Sequence, residues 1–119
     1  VRSSVNAEKK ELLEQLRALA GMLDGTYSQD GEYPAWEYRK ESHLRDTMEP
    51  IYRELFGAEP RVEAIHAGLE CGLFSERLSG LDCVSIGPDI LDIHTSRERL
   101  DIASVRRTWR FLLEVLKNL

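Results

Sequence analysis

Apolar residues recur at helical spacing in well-separated stretches of this sequence, and the runs between them are short and partly β-branched. Leu12, Leu16, Leu19 and Leu23 follow one another at steps of four, three and four. Met48, Ile51, Tyr52, Leu55 and Phe56 share a second helical face, and Ile102, Val105, Trp109, Leu112 and Leu116 form a third. Extended runs are expected at Val1–Val5, Thr26–Ser28, Tyr33–Tyr38, Val62–His66 and Cys83–Ile86. Helix, strand, helix, strand and helix in succession after residue 41 predict an α/β fold with a parallel layer. Before it, a strand–helix–strand piece is expected, with Pro34 confining its second strand to an edge.

Local signals set the boundaries. Asn6 is a candidate helix cap with Glu8 in the first turn, and Gly25 ends the leucine stripe. Ser42 opens the second helix and Gly57 with Pro60 closes it, while Pro50 inside it predicts a kink or restart over 47–50. Glu70–Leu78 reads as a short helix closed by Ser79-Gly80, and the last helix starts near Asp101. Val1–Val5 already alternates like a strand and has no initiating methionine, so the expectation is an excised C-terminal piece of a longer protein.

The 119 residues carry a formal net charge of −5, with 42% hydrophobic and 31% charged side chains, which fits a soluble globular chain. No basic run with interleaved aromatics supports a nucleic-acid partner, and no apolar run is long enough to span a bilayer. A cytoplasmic location is expected. Cys71 and Cys83 form no CxxC pair and read as small apolar fillers.

Chemistry in open α/β sheets collects beyond the carboxyl ends of strands, which directs attention to the segments after Ile65 and Ile86. In the second, Asp92-Ile93-His94 would present carboxylate and imidazole on one side if extended, suiting a metal site, an acid–base site or an ordinary surface histidine. In the first, His66 reads as a strand-end residue, and Gly68 before a helix lets backbone approach a carboxylate or phosphate. Thr95 with Glu98 has the spacing of a capping box. GxSxG, HExxH, GxGxxG and Walker patterns are absent, so no catalytic nucleophile or base is assigned.

Several of these segments together resemble the C-terminal end of aminoacyl-histidine dipeptidase, the Xaa-His dipeptidase family. They are Ala64-Ile65-His66-Ala67-Gly68-Leu69-Glu70-Cys71-Gly72-Leu73-Phe74, Ser85-Ile86-Gly87-Pro88, and Ile93-His94-Thr95 followed by Glu98-Arg99-Leu100. Upstream, Val1-Arg2-Ser3-Ser4, Gly31-Glu32-Tyr33-Pro34-Ala35-Trp36, and Tyr52 with Leu55-Phe56-Gly57 extend the likeness over nearly the whole chain; Ala35 stands where the family usually has glycine, and Pro50 is outside its pattern. The resemblance implies a dimeric, two-zinc metallopeptidase that cleaves Xaa-His dipeptides with metal-activated water. Residues 1–41 would be the last part of its lid, or dimerisation, domain and 42–119 the last part of its catalytic domain. His94 would be a zinc ligand, Arg2 would hold the substrate carboxylate and Gly68 would line the pocket. The other zinc ligands and the general base would lie upstream, leaving the fragment inactive by itself. A self-contained α/β regulatory or dimerisation module, or a related zinc exopeptidase or deacylase, is the alternative.

Overall fold

The computed structural model describes residues 1–65 and 70–119. Its elements are α1 (Asn6–Met22), α2 (His43–Phe56), α3 (Glu70–Arg77), β1 (Ile90–Leu91), β2 (Arg99–Leu100) and α4 (Ile102–Lys117). They divide into two compact units, one of Val1–Lys40 with Val62–Leu81 and one of Glu41–Arg61 with Asp82–Leu119. A boundary between the units falls at Glu41. Val62–Leu81 is grouped with the N-terminal residues.

In the first unit, a polar strap rather than an apolar core fastens the chain to α1. Lys9, only 7% exposed, donates from Nζ to the Tyr33 carbonyl at 2.6 Å, with Glu32 at 3.6 Å. Asn6 does not cap: Val5 is the N-cap, and the Asn6 carboxamide oxygen instead accepts from the Ala35 amide at 3.0 Å while its own amide donates to Glu37. Residues 33–37 therefore lie along the first turns of α1. Helix α3 seats against the same segment through Gly72, where an added Cβ would stand 3.1 Å from the Pro34 carbonyl oxygen. The predicted leucine stripe is present on α1, yet Leu12, Leu16, Leu19 and Leu23 are exposed rather than packed on a sheet.

The second unit holds a buried apolar cluster. Ser42 caps α2, accepting from the Arg45 amide at 3.0 Å and donating to Asp82 at 2.7 Å, and the other Asp82 oxygen accepts from the Leu44 amide. A carboxylate at this helix start meets both the orphan amides and the positive end of the dipole. Gly57 closes α2 in the left-handed conformation. Met48 and Ile51 of α2 meet Phe111 and Val115 of α4, flanked by Leu44, Tyr52, Leu55, Phe56 and Val84. The Tyr52 and Phe111 rings meet edge-on at 5.5 Å. Pro50 causes no restart: α2 runs through it, because it sits on the exposed side where the carbonyl it leaves unpaired can bind water.

Two expectations fail. Among the described residues none of the five extended runs belongs to a ladder, and the sheet is a single antiparallel pair, Ile90 with Leu100 and Leu91 with Arg99, in a stretch expected to be a loop. Among the described residues no parallel layer forms: a strand needs a neighbour to take its amides and carbonyls, and none of these runs has one there. On α4 the stripe chosen from periodicity is largely the outward one. Trp109 is 59% exposed, whereas Val115, outside that stripe, is 3% exposed. The helix is apolar on two faces, and periodicity alone cannot rank them. Accordingly Phe111→Ala should cost about 3 kcal/mol and Trp109→Ala under about 0.5 kcal/mol in urea unfolding of this chain.

Candidate functional site

His94 stands at the tip of the β1–β2 hairpin, and its placement starts from the core. Asp101 caps α4, accepting from the Ala103 and Ser104 amides at 2.7 and 3.1 Å. The buried Ser104 hydroxyl donates to the Asp101 carbonyl at 2.6 Å and accepts from the Asp89 amide at 2.8 Å. The Asp101 amide in turn donates to the Asp89 carbonyl at 3.0 Å, and Arg107 binds the Asp89 carboxylate. Both legs of the hairpin are thereby anchored at the start of a helix whose buried face, continuing from Ser104 to Phe111 and Val115, fills the core.

Residues 92–98 form a closely bonded turn. The Thr95 amide and hydroxyl both donate to the Asp92 carbonyl, at 3.2 and 2.7 Å, and the Arg97 amide donates to the Thr95 hydroxyl. Arg99 binds the Asp92 carboxylate at 3.0 Å. Glu98 accepts from the His94 amide at 2.8 Å. Asp92 and His94 have φ of 52° and 65°, so this segment is not extended, and carboxylate and imidazole are not displayed as neighbours on a strand face. Nor is Thr95–Glu98 a capping box: no helix begins here, and Glu98 reaches the amide one residue earlier. The His94 imidazole is exposed and has no hydrogen bond or ion pair among the described residues.

Arg2 lies in the first unit, exposed and likewise without a hydrogen-bond or ion-pair partner among the described residues. Gly68 and His66 lie outside the described residues. Cys71 and Cys83 are both half-buried and form no disulfide. Among the described residues no three His, Cys, Asp or Glu side chains assemble as a metal-holding group. A catalytic zinc takes about three protein ligands, and here one imidazole is available while Asp92 and Glu98 are engaged by Arg99 and the His94 amide. The described residues by themselves do not fit a zinc site. Pattern reading missed Glu98 as a clamp and Asp82 as a cap. The first was visible only as a spacing; the second had no signal, because Asp82 is 40 residues from Ser42.

No family model matches the chain. Over all 119 residues it is 34% identical to the cytosol non-specific dipeptidase of Escherichia coli (strain K12), covering 24% of that protein. The crystal structure of aminoacylhistidine dipeptidase from Vibrio alginolyticus matches 97% of this chain with a TM-score of 0.79 and 30% identity, again over 24% of the larger chain. The fold therefore matches part of a dipeptidase, and no helix among the described residues is long and apolar enough to cross a membrane. The chain spans about a quarter of the length of these relatives, and it is similar over its whole length to a segment of the first and over nearly its whole length to a segment of the second.

Proposed function

We propose that this chain is a segment of a zinc-dependent dipeptidase that hydrolyses Xaa-His dipeptides in the cytoplasm. The observation that carries this reading is the end-to-end match, in sequence and in fold, to one quarter of two dipeptidases. Residues 1–41 belong, on this reading, to the lid domain through which the parent dimerises, and 42–119 to its catalytic domain. Zinc, two ions in the parent, has His94 as its one ligand from this chain. Arg2 receives the substrate carboxylate, for which a planar, exposed guanidinium is suited, and Gly68 lines the pocket. The exposed leucines of α1 and the outward face of α4 are consistent with surfaces that the rest of such a protein covers. The Escherichia coli relative is named non-specific, which favours a second reading in which the parent accepts dipeptides without histidine; parallel assays on both substrate types separate the two.

Three outcomes test the proposal. The 119-residue chain supplied with zinc should hydrolyse no dipeptide, and turnover by it alone would refute the reading of it as a partial enzyme. In the dipeptidase-length protein, His94→Ala should lower kcat/KM by at least about a hundredfold, since even residues that only support a ligand cost about 10–100-fold. Its melting temperature should hold, because the side chain is exposed. Arg2→Lys should raise KM about tenfold with little change in kcat, as a point charge replaces a two-pronged donor. Unchanged kinetics would remove either residue from the site.

A further inference from the structure

Two residues of the hairpin tip, Asp92 and His94, hold a left-handed backbone that residues bearing a Cβ adopt uncommonly, because the Cβ then crowds the following carbonyl. Such a conformation persists where surrounding bonds over-determine it, and this turn supplies them. At His94 the holding group is identifiable. Glu98 Oε2 accepts from the His94 amide at 2.8 Å, across the turn that the Thr95 hydroxyl and amide close onto the Asp92 carbonyl.

This bond bears directly on where the imidazole points. With the His94 amide fixed by Glu98, rotation about the N–Cα bond sets the direction of Cβ. A return from φ 65° to an ordinary −65° would turn the Cα–Cβ bond, and the ring with it, through about 130°. The imidazole has no hydrogen bond or ion pair of its own among the described residues, so the backbone is what aims it. We infer that Glu98 is the positioning residue for His94: by taking the His94 amide, its carboxylate fixes the left-handed backbone that directs the ring. The inference rests on the reading of His94 as a functional group of a dipeptidase.

The test uses the dipeptidase-length protein and compares Glu98→Ala, Glu98→Gln and His94→Ala. Glutamine keeps a side-chain oxygen that can accept from the His94 amide, and alanine does not. Glu98→Ala should lower kcat by about tenfold to a hundredfold, the scale of a misplaced reacting group, with KM within about twofold. Glu98→Gln should restore most of the kcat, and the melting temperatures of both should stay within about 3 °C of the parent. A crystal structure of Glu98→Ala should show a negative φ at residue 94 and a displaced ring. Wild-type kcat in Glu98→Ala, a fall in kcat with φ unchanged, or a glutamine variant as impaired as the alanine one would each overturn the inference. The two levels separate cleanly. Full activity in His94→Ala sinks the reading of His94 and the inference with it, whereas an inactive His94→Ala beside a fully active Glu98→Ala sinks the role of Glu98 alone.

Discussion

The packing of Phe111 and Val115 on Met48 and Ile51 is the interaction on which the C-terminal unit depends. These side chains remove apolar surface from water without leaving a polar atom unmatched, and they fix α4 beside α2. The hairpin that carries His94 is then built outward from α4. Asp101, at its start, takes amides that would otherwise be orphaned there, and Asp101 and Ser104 both bind Asp89, the residue leading into β1. A two-residue ladder is too short to hold itself together, so this hairpin keeps its place through that anchor.

The N-terminal unit is organised on a different principle. Its buried charged residue, Lys9, reaches a backbone carbonyl, and Asn6 takes a backbone amide, so the 33–37 strap is located by directional bonds. Directional bonds fix register well but contribute little net stability each, since water offers equivalents in the unfolded chain. The apolar area that could add stability, the leucine face of α1, stays in contact with solvent. This asymmetry between a well-formed helix and an uncovered face accords with a chain that spans a quarter of its relatives' length.

Within each unit taken by itself, order and exposure coexist. The His94 imidazole and the Arg2 guanidinium, exposed and without a hydrogen bond or ion pair among the described residues, project from backbone that is closely tied nearby: for His94 the turn bonded by Thr95 and Glu98, and for Arg2 the Ser3 hydroxyl that accepts from the Val5 amide. Free functional groups on constrained backbone suit recognition, since less freedom is lost when a ligand or a further protein segment arrives.

Residue patterns by themselves determined the helices. Ser42 and Gly57 bound α2, Asp101 caps α4, and the face of Met48, Ile51, Tyr52, Leu55 and Phe56 is the one that packs, because capping and 3.6-residue periodicity are local properties that survive whatever surrounds them. The motifs around Arg2, Gly68 and His94 likewise sufficed to point to dipeptidases, matching the relatives found over the whole chain. Tertiary structure decided what depends on distant partners. Among the described residues it left the β-branched runs without ladders, since a strand exists only beside another, and it chose Phe111 and Val115 over Trp109 and Leu116 as the inward face of α4. It also placed Asp82 at the start of α2 and the Glu98 carboxylate on the His94 amide. The first bond joins residues far apart in sequence and the second needs a left-handed turn, so neither is written in hydrophobic spacing.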